Sequence, residues 1–430
     1  MIQLIRGFKD ILPNEIELWK HIEQTAITLF ESFGFRQIRV PILEKAALFQ
    51  RSIGEHTDIV EKEMYTFPTE KGELITLRPE ATASIVRAYL QQRMYAKDPI
   101  QKLYTLGPMF RKERPQKGRY RQFYQINAEV FGIESPYIDA QMIFMLTRFF
   151  RQLSITGLEV HLNSLGCPLC RPAFKKALSG MLMEKGDALC SECIRRRDTN
   201  PLRVLDCKRP GCQSVVENAP AITDYLCDDC ARHFDRVKAC LERMGIPYVV
   251  SPRLVRGLDY YTRTAFEIQT RELGAQNAVA GGGRYDTLVE ALGGPSQPAV
   301  GFAVGLDRLV DLALTKTRAS ELTPDIFIAA MGEAAQEKAF EWSCELGREG
   351  IKTEIDFSDR SLKALMKRAN RLGAGYVLMV GDQELDRGTA VLRNMRTREQ
   401  TEIALSGVLG GVKSQLRAAS DGRPHGDSQL

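Results

Sequence analysis

Between Leu103 and Gly132 the sequence reads LYTLGPMFRKERPQKGRYRQFYQINAEVFG. Six cations, Arg111, Lys112, Arg114, Lys117, Arg119 and Arg121, fall inside eleven residues, around Pro115 and Gly118. An arginine fork bonds two phosphate oxygens at once and keeps its charge, so such a loop suits a polyphosphate. The strand that follows alternates. Tyr124, Ile126, Ala128 and Val130 point one way, as core residues; Gln125, Asn127 and Glu129 point the other, flanked by Phe123 and Phe131. An acid and two amides along one strand face make the floor of a polar pocket. A sheet face open to water beneath a solvated basic loop has the same pattern.

If a nucleotide is bound, its phosphates must be held by side chains. There is no G-x-x-x-x-G-K-[ST], and GGGRYD at 281–286 has the glycines of a dinucleotide loop without the G-x-G-x-x-G spacing.

The cysteines are the second set with chemistry in it. Eight of the ten lie between Cys167 and Cys230. Cys167-x2-Cys170 is followed after nineteen residues by Cys190-x2-Cys193; Cys207-x4-Cys212 is followed after fourteen by Cys227-x2-Cys230. Each half approximates a four-thiolate zinc site, closed and therefore structural. Two zincs, the first four cysteines on one and the last four on the other, is the sharpest reading. One zinc, an interleaved pairing, and reduced metal-free thiols are the alternatives. His233 is a spare ligand, and Cys240 and Cys344 read as buried singletons. The basic residues nearby, Arg195–Arg197, Lys208 and Arg209, suit either a nucleic acid or a solvated face.

The elements that must position these groups follow from periodicity. Trp19, Ile22, Ala26, Leu29, Phe30 and Phe33 repeat at helical spacing over 14–33, with Asn14 to cap and Gly34 to stop the helix. FRQIRVPIL then alternates as a strand to Pro41. Strands are expected at 73–78, 100–110 and 121–131, with a helix from about Thr82 to Met94. Beyond the Cys-rich stretch, strands are expected at Tyr261–Thr270 and Val279–Ala280, then a Gly-rich turn and a helix over Tyr285–Leu292. Val300–Ala313 begins as a strand and ends as a helix. Strands joined by short loops point to an antiparallel sheet with flanking helices, an α+β fold. Past a linker at 314–324, DIFIAAM, IKTEIDF and GYVLMVG are three buried strands separated by helices at about 333–349 and 361–372, an α/β domain.

The bulk properties permit this organisation. At 430 residues the chain needs more than one core. Its 44% apolar and 26% charged content is that of an ordinary globular protein, and no run approaches a membrane span of roughly 18 apolar residues. The charged opening MIQLIRGFKD is not a secretory signal, so the expected compartment is the cytoplasm, where thiols stay reduced. A net charge of +5 allows a nucleic-acid partner without arguing for one.

The blocks resemble those of class II aminoacyl-tRNA synthetases. FRKER at 110–114 with RYRQFYQ resembles motif 2, GFRQIRVPILEKAALF resembles motif 1, and VGFAVGLDRL at 300–309 resembles motif 3. TLRPEATAS (76–84), LVRGLDYYTRTAFE (254–267) and AGGGRYDTL (280–288) resemble segments particular to the histidyl-tRNA synthetase family. The Cys-rich stretch, 167–240, reads by its change of composition as an insertion, and the small polar tail at 418–430 as disordered; the resemblance implies a core in two parts around the insertion, 1–166 and 241–320, and an anticodon-binding domain at 325–412. It implies ATP, with Mg²⁺ on its outer phosphates, histidine, tRNA(His) and a homodimer built on motif 1. By the same resemblance Arg111 holds the α-phosphate and the histidine carboxylate, and Arg256 meets the α-phosphate from the other side, where related enzymes place a metal. Arg308 holds the γ-phosphate near the adenine. Glu80, Thr82 and Gln125 take the α-amino group; Glu129 and Tyr261, with Tyr260 beside it, take the imidazole. Gly281–Gly283, Gly283 above all, let backbone approach the nucleotide, with Arg284 a weaker candidate. Ala81 departs from the glycine expected there. In the C-terminal domain Arg360, Lys363, Lys367 and Arg371 form one stripe, suited to phosphates or to solvent.

Two rivals share parts of this pattern: a non-catalytic regulatory subunit of histidine biosynthesis and a zinc-containing nucleic-acid-binding protein. The regulator is expected to lack the C-terminal domain and an intact RGLDYY; this chain has both.

Overall fold

A computed structural model of the chain describes residues 1–430 except 55–56, 117, 274–276, 315–322, 359 and 422–430. Lys117 and most of the expected linker lie outside the described residues. The chain divides into two units, Met1–Ser320 and Glu321–Leu430.

The first unit is built on an eight-stranded sheet. Its order is Arg36–Gln37, Gln101–Phe110, Gln122–Phe131, Ala299–Gly305, Ala278–Arg284, Thr262–Thr270, Leu158–Ser164, Tyr248–Val250. The six central strands pair antiparallel, as expected. The two short edge strands pair parallel, which makes the sheet mixed. The alternation read along 122–131 sorts the faces. Ile126, Ala128 and Val130 enter the main core with Phe302, under Trp19, Ile22 and Phe30 of helix Pro13–Ser32 and Met142, Ile143 and Phe149 of helix Pro136–Gln152. The opposite face carries Gln125, Asn127 and Glu129 and is left for the site.

Several boundaries differ from expectation, each for a local reason. Helix Pro13–Ser32 starts on Pro13 with no side-chain cap, so Asn14 lies inside it; Gly34 ends it at φ +80. The segment after Phe35 is a strand only over Arg36–Gln37. The Gly-rich turn is not a turn. Gly281–Gly283 lie inside strand Ala278–Arg284, paired on both sides, and the helix after it is only Leu288–Ala291. Glycines carry no side chain to alternate, so a central strand made of them has no period to read. The C-terminal tail is helical as far as Asp421, in Val408–Asp421, rather than irregular from 418.

The insertion is helical: Arg171–Glu184, Ser191–Thr199, Pro210–Val216 and Asp228–Arg243 with short 3-10 turns. The expected division of the cysteines into a first and a last four is not what forms. Cys167, Cys170, Cys227 and Cys230 converge in one group, and Cys190, Cys193, Cys207 and Cys212 in another. The insertion folds back so that its two ends meet, which brings the outermost pairs together. His233 ligates neither group; its Nε2 lies 2.7 Å from Asp139 Oδ2. Arg195 and Arg196 are tied to Glu61 (2.8 Å) and Asp58 (2.5 Å) of the first unit, so these two cations are spent within the chain. Cys240 is half-buried and Cys344 exposed, against expectation.

The second unit has a five-stranded sheet in the order Thr353–Ile355, Ile326–Ala330, Tyr376–Val380, Thr389–Asn394, Gln400–Ala404. The first three are the expected parallel strands; the last two add on antiparallel. Strand Gln400–Ala404 is almost wholly exposed, so it left no apolar trace in the sequence. Arg360, Lys363, Lys367 and Arg371 are all exposed.

One buried ionic network joins three parts of the first unit. Arg284, fully buried, donates to Asp139 (2.6 Å), to Asp286 (3.1 Å) and to the carbonyl of Ile133 (2.8 Å). Asp139 in turn meets His233 of the insertion's last helix. Arg284 is thus a structural cation rather than a nucleotide contact. Removing one member strands a buried charge, which costs about 3–5 kcal/mol. Asp139→Ala is therefore expected to lower the stability of the first unit by that amount in urea titration, and Asp139→Asn by less; a loss under about 1 kcal/mol would mean that the network is solvated.

Candidate active site

The polar face of the sheet floors a cavity of about 310 Å³. Cross-strand register paves it in rows. Glu129 lies opposite Gly301, Gly301 opposite Gly283, and Gly283 opposite Ala265. In the next row Asn127 faces Ala303, which faces Gly281, which faces Glu267. Small residues fill the middle of both rows, so side chains from the rim can lie down on the sheet. A Cβ on Gly281 would meet the Arg256 guanidinium, and one on Gly301 would collide with the Glu129 carboxyl.

All three arginines singled out from the sequence line this one cavity: Arg111, Arg256 and Arg308. Arg111 donates Nε to the carbonyl of Pro79 at 3.0 Å and stacks its guanidinium 5.2 Å from the centre of the Phe123 ring. Arg256 pairs with Glu267 and lies 5.5 Å over the Tyr261 ring. Arg308 is held by two carbonyls, Gly118 at 3.1 Å and Ala278 at 2.7 Å. The Arg111 and Arg256 side chains are 20% and 17% exposed, shielded enough to strengthen their fields and open enough to meet a ligand.

The arginines feel one another. Burial, first, and then the neighbouring Arg119 and Arg111 lower the Arg308 pKa. Burial also lowers that of Arg111, with Arg256 adding to the effect against Glu63 and Glu80. For Arg256, burial works downward, but Glu267, Tyr261 and Tyr260 together outweigh it, and the pKa is raised. Buried like charges at close quarters are unfavourable until an anion arrives, the condition of an anion site.

At the other end of the cavity the groups are acids, amides and phenols. Glu80 accepts from the backbone N–H of Thr82 (2.7 Å) and Ala83 (2.8 Å), capping helix Thr82–Gln91. Glu129 accepts from the Thr82 hydroxyl at 2.7 Å and the Tyr285 hydroxyl at 2.5 Å. Burial pushes the Glu129 carboxyl up to about 8, helped by the charge of Glu80 and opposed by the two hydroxyls. Glu80 is also raised, by burial. Gln125 and Asn127 each bury a side-chain oxygen that meets no donor. Two bare acceptors beside carboxylates are the complement of a cationic donor. Tyr260 and Tyr261 close this end, with ring centres 4.7 Å apart.

The structure thus brings Glu80, Thr82, Arg111, Gln125, Glu129, Arg256, Tyr260, Tyr261 and Arg308 to one place. It does not bring Gly283 there. Its position is covered: an added Cβ would meet the Thr264 carbonyl and the Tyr261 ring, so this glycine seats a tyrosine rather than a nucleotide. Gly281 lines the cavity instead. Ala81 lies in an apolar cluster outside the lining, so its methyl takes no space from the site. Sequence reasoning missed Glu267 and Tyr285, and named Arg119 only as one cation of the basic loop. Glu267 was visible inside the expected strand Tyr261–Thr270; Tyr285 was hidden by the reading of GGGRYD as a turn.

The insertion touches the site from behind. Arg171 donates to the carbonyl of Tyr261, Arg203 to that of Arg256 at 3.1 Å, and Asn200 to the Asp259 carboxylate at 2.8 Å. The irregular stretch that carries Arg256 and both tyrosines is held on that side by insertion side chains.

Comparison with known proteins agrees with this geometry. A family model for histidyl-tRNA synthetase matches residues 7–309, and one for an anticodon-binding domain matches 325–415. The chain is 60% identical to the histidine–tRNA ligase of Desulforapulum autotrophicum over 94% of its own length and 96% of that protein. It is 58% identical to the histidine–tRNA ligase of Desulfatibacillum aliphaticivorans over 97% of this chain and 99% of the other. Among solved structures, apo histidyl-tRNA synthetase of S. aureus superposes with a TM-score of 0.80 at 36% identity, covering 96% of this chain and all of that one. With matched models over both units and relatives this similar end to end, the chain belongs to the histidyl-tRNA synthetase family.

Proposed function

We propose that the chain is a histidine–tRNA ligase that activates histidine with ATP and passes it to tRNA(His). The observation that carries the reading is the convergence of Arg111, Arg256 and Arg308 on a cavity whose other end is acid, amide and phenol. In the first step a histidine carboxylate oxygen attacks the α-phosphorus and pyrophosphate leaves. In the second, a hydroxyl of the terminal ribose attacks the acyl carbon and AMP leaves. Neither step needs a protein nucleophile; the chain's work is positioning and charge stabilisation.

In this reading Arg111 and Arg256 grip the α-phosphate from two sides, and Arg308 holds the outer phosphates, with Mg²⁺ entering as the counter-ion of ATP. The carboxylate of Glu80 and the bare oxygens of Gln125 and Asn127 suit the α-ammonium group. Glu129, Tyr261 and Tyr260 suit the imidazole. Thr82, which donates to Glu129, acts through that carboxyl as well as beside the ammonium. A pocket whose buried groups are left unpaired by the wrong amino acid discriminates by roughly 10⁴–10⁵. A homodimer belongs to the reading, and Ile42, Leu43, Phe67 and Leu74, apolar yet 41–50% exposed on and beside a three-stranded sheet of Leu43–Lys45, Leu74–Leu77 and Tyr65–Pro68 near motif 1, favour it. So does a cytoplasmic site of action; among the described residues no helix is long and apolar enough to cross a membrane.

ATP–pyrophosphate exchange tests the whole: exchange that requires histidine is expected, histidine binding without exchange would point to the regulatory subunit, and neither to a nucleic-acid-binding module. Arg256→Ala is expected to cut exchange by about 10²–10³-fold while histidine binding, measured by calorimetry, survives; an unchanged rate removes Arg256 from the mechanism. Glu129→Gln should weaken histidine binding by about 10–10²-fold. The same variant reports the protonation. The folded pKa of Glu129 lies above its ordinary 4.5, so the stability it contributes is whole below that value and is lost as pH rises through about 8. Without histidine, the melting temperature of wild type should fall relative to Glu129→Gln between about pH 5 and 8 and run parallel above that; curves parallel throughout would show that the carboxyl is already ionised.

A further inference from the structure

We propose that the insertion carries two mononuclear zinc ions, nested one inside the other. Cys167, Cys170, Cys227 and Cys230 hold the outer ion, and Cys190, Cys193, Cys207 and Cys212 the inner. In each quartet the four sulfurs lie within 4.8 Å of one another. Cys167 Sγ is 3.6 Å from Cys170 Sγ and 3.9 Å from Cys227 Sγ. A tetrahedral ion with Zn–S bonds of about 2.3 Å requires its sulfurs about 3.8 Å apart. The separation is far too long for a disulfide of about 2.05 Å, and four sulfurs at mutual contact have no room for an iron–sulfur cluster between them. All-cysteine ligation leaves no open position, so both sites are structural.

The backbone is arranged for thiolates. Cys170, Cys190 and Cys227 each stand at the N-cap of a helix, and Cys193 and Cys230 follow in the first turns, where the helix dipole favours negative sulfur. In each quartet an amide of one arm donates to a sulfur of the other: Cys227 N to Cys170 Sγ, and Cys190 N to Cys212 Sγ, both 3.2 Å. The apolar cluster of the insertion is small, and Cys193, Cys207 and Cys212 are part of it, so removing the ions leaves little to hold its first three helices together. The outer site clasps the exit from strand Leu158–Ser164 to the start of helix Asp228–Arg243; the inner one closes the loop between.

Elemental analysis of the purified full-length protein should find two zinc ions per chain; none, one, or iron in their place overturns the proposal. Replacing zinc with cobalt should give the visible bands of a tetrahedral thiolate site. Nesting is read from double variants. Cys167→Ser with Cys227→Ser should leave about one zinc, and Cys167→Ser with Cys190→Ser none; consecutive pairing predicts the reverse. Should these variants fail to fold, graded zinc release from wild type with alkylation and mass spectrometry replaces them. Thiols 167, 170, 227 and 230 are expected to become reactive as one set, and release in consecutive fours would refute the nesting.

Discussion

The first unit is organised around holding several guanidinium groups close together, out of bulk water, before any anion is present. Arg111, Arg256 and Arg308 share a cavity and depress or oppose one another's protonation. Left bare, such a cluster would swell or neutralise. The chain offsets it by three separate devices: a carboxylate for Arg256, an aromatic face and a carbonyl for Arg111, and two carbonyls for Arg308. Each arginine is fixed by neutral or single-charge partners that leave part of its fork for a ligand, which is the preorganisation a charge-stabilising site needs.

The same constraint accounts for the composition of the sheet. Long side chains from outside must lie across its polar face, so the central strands are reduced to Gly281, Gly283, Gly301 and Ala303 where the rim groups descend. The opposite face of those strands carries Val279, Val300, Phe302 and Val304 into the core. One face is therefore stripped to accommodate charge, and the other packed to keep a glycine-rich strand in place.

This division explains what was legible in the sequence. Strand Gln122–Phe131 announced both of its faces because its core positions are large and its site positions polar. The arginines were legible through motif blocks, and their convergence followed from the order of the strands. The glycine strand was illegible, since periodicity is a property of side chains; that one omission produced the false turn and the misplaced Gly283 and hid Tyr285. The pairing of the cysteines was equally out of reach, because spacing fixes which sulfurs share a turn and not which turns meet in space. Glu267, by contrast, stood in plain view and was passed over because a lone acid in a strand looks like a solvated one.

The last helix of the insertion, Asp228–Arg243, buries Phe234, Val237 and Leu241 in the main core and presents His233 to Asp139. A stretch that interrupts the fold in the chain therefore completes it in space. Excising residues 167–240 would not yield a minimal catalytic body; it would open a hole beneath the sheet and leave the carbonyls of Arg256 and Tyr261 without their donors. The main core needs only the terminal helix of the insertion, so a truncation ahead of Asp228 that keeps that helix leaves the interior closed.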